Sequence, residues 1–304
     1  VLWLLWGMPL WWASGLLSFS SIIMAIPMIA FLARRGGVRM VPGILPWIAF
    51  GLWMIPCAVM LDSPERLLGY SLRFAQFASV AVAVLYVVNA RKTVTVRRLL
   101  SGMTFSWVFV IVGGYLGLLW PQGSLEFTIG LLLPEQLRAN EYVSDLVFPP
   151  FAEVQEPWGA TEPFLRPAAP FAYTNGWGAA MVILTPIAVA WAIERRSARA
   201  LLAVGAGFLA AVPPAVATTN RGLIIGLFLA LGYVLFRLLF QGRWIPLLSV
   251  GAVSFIGVLV LAASGLFDGI VARQETTDTT EGRGNLYEET FNRSLLSPVL
   301  GYGA

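Results

Sequence analysis

Residues 200–240, ALLAVGAGFLAAVPPAVATTNRGLIIGLFLALGYVLFRLLF, decide the fold. From Ala200 to Phe236 they carry one charge, Arg221. A helix crossing the hydrocarbon core of a bilayer needs about 20 predominantly apolar residues. The stretch therefore reads as two spans, 200–217 and 222–240, joined by the short turn Thr218-Thr219-Asn220-Arg221. Pro213-Pro214 removes two backbone donors near the end of the first span and predicts a break there.

Working outward, the same pattern recurs. Uncharged or nearly uncharged runs lie near 12–33, 43–61, 67–89, 99–120, 176–193 and 245–267. With the first two they predict an all-α, polytopic transmembrane helix bundle of about eight spans, one integral membrane domain over 1–304. Residues 1–11 are left open, as an interfacial piece or the remnant of an earlier helix. The chain starts at Val1 and stops in Gly301-Tyr302-Gly303-Ala304, which reads as a fragment of a longer protein.

Bulk composition agrees. The chain is 58% hydrophobic and 12% charged, against about 45–50% and about 25% in soluble domains. It has no His and a single Cys, Cys57, which excludes His-dependent triads and disulfides within these residues. No connection between the runs is long enough to bury a catalytic domain of its own. The net charge of +4 reflects how loops are sorted across a bilayer rather than an affinity for nucleic acid, and no nucleic-acid partner is expected.

Loop charge sets the expected orientation. Arg34, Arg35 and Arg39; Arg91, Lys92, Arg97 and Arg98; Arg195, Arg196 and Arg199; and Arg237 with Arg243 occupy alternate connections, which predicts that these face the cytoplasm. The other connections are acidic and are expected outside: Asp62 with Glu65, the long segment 121–175, and the tail from Asp268. Within 121–175, Ala139, Tyr142, Val143, Leu146 and Val147 recur at helical spacing, opposite Glu135, Arg138, Glu141 and Asp145. Two readings stand open: an amphipathic helix on the outer membrane surface, or a short helix packed on the bundle. Residues 268–304 read as the start of a second outer loop.

Ionisable groups within or beside spans are functional hypotheses by default. Arg221 lies on the side where positive charge is disfavoured, next to Gly222, which allows close approach. Arg283, in Glu281-Gly282-Arg283-Gly284-Asn285, reads as a turn whose guanidinium can fork onto phosphate oxygens. Arg73 lies inside the third span and is expected either to snorkel outward or, as Gln76 three residues on and on the same face favours, to face a polar cavity. No metal constellation is evident, because Asp268, Glu275, Asp278 and Glu281 are too loosely spaced. No cofactor is called for.

At three stretches the chain resembles the O-antigen ligase and polymerase superfamily of bacterial polytopic glycosyltransferases. Tyr173-Thr174-Asn175-Gly176-Trp177 resembles its Asn-containing motif, and Thr219-Asn220-Arg221-Gly222 resembles its Ser-x-Arg-Gly-like turn. Gly282-Arg283, Leu286-Tyr287 and Pro298-Val299-Leu300-Gly301-Tyr302-Gly303 resemble its Gly-Arg, aromatic and Pro-x-x-Gly-x-Gly series. The match covers roughly residues 170–304.

The resemblance implies a multi-pass protein of the bacterial cytoplasmic (inner) membrane. It also implies a donor, a glycan on undecaprenyl diphosphate at the outer leaflet, and transfer to an acceptor glycan or glycolipid hydroxyl in cell-surface polysaccharide biosynthesis. Arg221 and Arg283 would then be catalytic, clamping the diphosphate without a metal. Arg73, Asn175, Asn220, Gly222 and Gly282 would line the substrate site. Ligases of the family also use a His beyond the Gly-x-Gly element; this chain has none, and the base that activates the acceptor stays unassigned. The alternative from another class is a transporter or lipid-linked-sugar flippase of the cell envelope, for which polar groups belong near the bilayer midplane.

Overall fold

The computed structural model describes residues 1–63, 66–155, 163–242, 244, 248, 251–252 and 279–301, the side chains of 279–283 excepted. The chain is mostly helical. The helices are α1 (Leu2–Trp6), α2 (Met8–Ala13), α3 (Ser20–Ala33), α4 (Ile44–Cys57), α5 (Arg66–Asn89) and α6 (Val96–Leu119). Then come α7 (Glu135–Arg138), α8 (Glu141–Val147), α9 (Thr174–Arg195), α10 (Ala198–Ala217), α11 (Arg221–Phe240) and α12 (Thr279–Leu296).

Five of these, α5, α6, α9, α10 and α11, are long and apolar enough to cross a membrane, the make-up of a multi-pass membrane protein. Two expected spans are shorter apolar helices, Leu17–Ala33 and Ile44–Met60. At 1.5 Å of rise per residue each falls short of a hydrocarbon core about 30 Å thick. The eighth, 245–267, lies almost wholly outside the described residues. Residues 1–11 form no span of their own: α1 and α2 lean on α6, where the Ser106 hydroxyl donates to the Leu5 carbonyl (3.2 Å) and Trp6 stacks on Phe105 (4.9 Å).

The core is the seam between α6, α9 and α10. Trp107 and Trp177, both fully buried, fill it with Val110, Met181, Ala188, Val204 and Ala211. Each indole N–H finds a partner: Trp107 donates to Thr185 Oγ1 (3.1 Å) and Trp177 to the Val110 carbonyl (2.9 Å). A buried indole without an acceptor would cost about 1–3 kcal/mol. Close approach depends on small residues, as in membrane helix packing generally. A Cβ on Gly207 would lie 2.6 Å from the Trp107 ring. By contrast only 6% of the apolar stretches of α5 and α11 is buried. Their outward Leu, Phe and Val side chains form an apolar surface that suits lipid and would be an aggregation patch in water.

Charge collects at the two ends of the bundle. At the basic end, Arg35 and Arg39 hold Asn89 at the close of α5: the Arg35 guanidinium donates to its carbonyl, and the Arg39 N–H donates to its Oδ1 (2.9 Å). Arg97, Arg98 and Arg195 surround one cavity nearby. The segment between α6 and α9 forms the acidic end. If the basic end is cytoplasmic, then in a Cys57→Ser background a cysteine at Gln136 is expected to react with an impermeant maleimide from outside, and one at Arg199 is not. The reverse pattern would invert the orientation.

The helices fit the expected all-α bundle, to which one short strand pair is added: Ala152–Gln155 (β1) and Phe164–Pro167 (β2) pair antiparallel, Glu153 opposite Arg166 and Ala152 opposite Pro167. Two expectations change. The run 135–147 is two helices rather than one. The chain turns at Ala139-Asn140, where Asn140 Oδ1 accepts from the Val143 N–H (3.1 Å) and starts α8 afresh. Leu146 and Val147 are buried in the protein, with the Val147 carbonyl against Gly15, so α8 packs on the bundle rather than presenting this face to lipid. Finally, α10 runs unbroken through Pro213-Pro214. Proline's fixed φ is helical, its losses fall in the last turns, and Pro214 is fully buried against Gly114 of α6.

Candidate functional site at the acidic end

Thr218 closes α10, and Thr219 takes a left-handed backbone (φ +46°), which reverses the chain at once. Asn220 then caps α11 through its Oδ1, which accepts from the Leu223 N–H (3.2 Å). Arg221 is consequently the first residue of α11, half-buried, and its guanidinium has no hydrogen-bond or ion-pair partner among the described residues. A cation at a helix N-terminus opposes the macrodipole, whose positive end already favours anions. Such a placement has a physical rationale when an anion binds there.

A second helix N-terminus meets it. Asn175, exposed in the first turn of α9, accepts at Oδ1 from the Asn220 Nδ2 at a long 3.4 Å. The heads of α9 and α11 thus lie side by side; the Thr174, Gly176 and Leu223 N–H groups already have acceptors, which leaves those of Asn175, Arg221 and Gly222 at this end for phosphate oxygens. Gly178 makes the approach possible. A Cβ there would lie 2.3 Å from Asn220 Nδ2. Gly178→Ala is expected to cost only about 1 kcal/mol in stability, since a side-chain tip can yield, while separating Asn220 from Asn175. A thermal melt paired with an activity assay tests this, and unchanged activity would make the Asn–Asn contact incidental.

Beneath these groups lies an arginine of the acidic segment 121–175 that was not among the expected site residues. Arg166 on β2 is 5% exposed. Its Nε donates to the Thr218 carbonyl (2.7 Å), and one terminal nitrogen lies 3.9 Å from Glu153 Oε1. Glu153 Oε2 accepts from the Thr174 N–H (3.0 Å), and the Thr174 hydroxyl donates to the Arg166 carbonyl (3.2 Å). The hairpin, the head of α9 and the end of α10 are thereby tied into one unit around the turn that presents Arg221. The signal was available: Arg166 is the single charge in 163–193.

Next to Thr174, Tyr173 has its hydroxyl pushed up to about 12, first by burial and then by the neighbouring Asp145 charge. Burial likewise raises the Asp145 carboxyl. Tyr173 therefore keeps its proton at neutral pH and stays available as a donor toward Asp145.

The remaining expected residues fare differently. Gly222 is exposed, 3.2 Å from Asn220 Oδ1 if given a Cβ, and belongs with the cluster. Arg73 is exposed on α5, while Gln76 donates to the Ser18 carbonyl (3.2 Å). Gly282 and Arg283 lie in α12 instead of a turn, and the Arg283 side chain is outside the described residues. The turn that follows that helix is tethered to α4, where the Trp53 indole donates to the Val299 carbonyl (2.9 Å). Comparison with known proteins gives no match: no family model fits the chain, and no curated protein and no solved structure matches it.

Proposed function

We propose that the chain is a membrane glycosyltransferase of the O-antigen ligase and polymerase type. It would act at the outer face of the bacterial cytoplasmic membrane, moving a glycan from undecaprenyl diphosphate to an acceptor hydroxyl. One observation carries the reading: Arg221, without a partner among the described residues, stands at two adjoining helix N-termini beside the Asn175–Asn220 contact. That constellation is built for an anion at the membrane edge, where a lipid diphosphate lies.

In this reading the acceptor oxygen attacks the anomeric carbon. The bond from that carbon to the diphosphate oxygen breaks, and the electron pair leaves with the lipid diphosphate. Arg221 and the first-turn N–H groups left open at Asn175, Arg221 and Gly222 stabilise the charge that grows on the leaving group. The acceptor's proton passes to a base that the described residues do not identify.

The test uses purified full-length protein in vesicles that carry a fluorescent undecaprenyl-diphosphate-linked glycan in one leaflet. Release of free lipid diphosphate upon addition of acceptor is the expected result. Movement of the intact donor between leaflets without release would replace the transferase by a flippase.

A further inference from the structure

At the basic end, opposite the site just described, Leu2, Trp6, Arg97, Arg98, Ser101 and Arg195 line an open cavity of about 370 Å³. We propose that this cavity holds the phosphate headgroup of an anionic phospholipid from the inner leaflet, with its acyl chains running down the Leu2–Trp6 side. The inference uses the orientation in which basic connections face the cytoplasm and is independent of the transferase reading.

Charge sorting alone needs arginines on the right side of the membrane, not arginines that converge. Here Arg97 and Arg98 come from the start of α6 and Arg195 from the end of α9, and no carboxylate among the described residues lines the space between them. Two of the three are held in place by the protein. Arg98 donates one N–H to the Thr93 carbonyl (2.8 Å), and Arg195 lies over the Trp191 ring at 5.3 Å. Their remaining donors stay open to a phosphate diester.

The cavity also opens at the N-terminus of α6, where Thr95 caps the Arg98 N–H (3.3 Å) and the helix dipole adds positive potential. Ser101 Oγ accepts from the Trp191 indole (3.0 Å), and its own O–H has no acceptor among the described residues. It is a further donor for a phosphate oxygen. The opposite wall is apolar, and Trp6, stacked on Phe105, supplies the ring that membrane proteins place at headgroup depth. Basic pockets between helices on the cytoplasmic side suit anionic headgroups, and each arginine near such a surface strengthens binding by about fivefold.

The experiment is native mass spectrometry of the full chain in detergent, after incubation with equimolar phosphatidylglycerol and phosphatidylcholine. Phosphatidylglycerol is expected to be retained in preference. Replacing Arg97, Arg98 and Arg195 together by glutamine should weaken retention on the order of 100-fold. A control with Arg91, Lys92 and Arg199 replaced by glutamine loses the same charge away from the cavity and should retain the lipid. Equal retention of the two lipids, or equal loss in both triple variants, overturns the proposal. Displacement of the lipid by millimolar glycerol 3-phosphate would show a site for free phosphate and overturns it too. Should the cavity triple fail to insert, Arg195→Gln alone, an exposed position at the close of α9, is expected to weaken retention about fivefold; no change there is equally fatal.

Discussion

Arg221→Ala is expected to slow release of the lipid diphosphate on the order of 10²–10³-fold, the usual loss when one preorganised donor to a developing oxyanion is removed. The protein should still be found folded in the membrane. Arg221 is half-buried and lacks a partner among the described residues, so its removal strands no buried acceptor and no counter-charge. Arg221→Lys should recover only part of the rate, because an ammonium supplies a point charge without the guanidinium's fork. The measurement is a single-turnover time course on detergent-solubilised protein, with membrane yield and thermal melting recorded beside it. A wild-type rate in the alanine variant would remove Arg221 from the chemistry and with it the main support for the transferase.

Arg166→Leu should act the other way round, through structure first. Arg166 is 5% exposed, its Nε is bonded to the Thr218 carbonyl, and its charge faces Glu153. Deleting it leaves a buried carbonyl short of a donor and a carboxylate short of its counter-ion. Breaking such a pair costs about 3 kcal/mol or more. A clear drop in melting temperature and faster protease nicking of the segment between α6 and α9 are therefore expected, together with lost activity as the 218–221 turn slackens. Glu153→Gln should be milder, since its amide oxygen still accepts from the Thr174 N–H. If Arg166→Leu melts with the wild type, the guanidinium is not what holds the hairpin to the turn.

These two arginines also show what the sequence makes legible. Hydrophobic run length locates α5, α6, α9, α10 and α11 because lipid leaves the backbone no alternative to helix. Arg221 is conspicuous for the same reason, as a charge where charge is expensive. Arg166 carries the same signal within a connecting segment, where cations are ordinary, and its role depends on pairing with Glu153 across a hairpin that short polar sequence does not announce. The proline pair misleads because its effect depends on context. In isolation Pro213-Pro214 breaks a helix, whereas against Gly114 it fills space near a helix end that already has few bonds to lose. Gly282-Arg283-Gly284 misleads similarly: glycine lowers helix propensity by about 1 kcal/mol each, which the rest of α12 overcomes.

One face of α6 has a consequence for how this protein can be altered or diversify. Gly113 and Gly117 lie directly under backbone of the outer segment: a Cβ at either would stand 2.4 Å from a carbonyl oxygen, of Ala169 and Phe151 respectively. Backbone, unlike a side-chain tip, has no rotamer by which to step aside. The outer segment and α6 are therefore a matched pair, and a chimera that grafts residues 121–173 onto a bundle with larger residues at these two positions should fail to seat the graft even if every span inserts. Exchange of outer segments between such proteins, in the laboratory or over generations, is expected to succeed only when the helix beneath is exchanged with them.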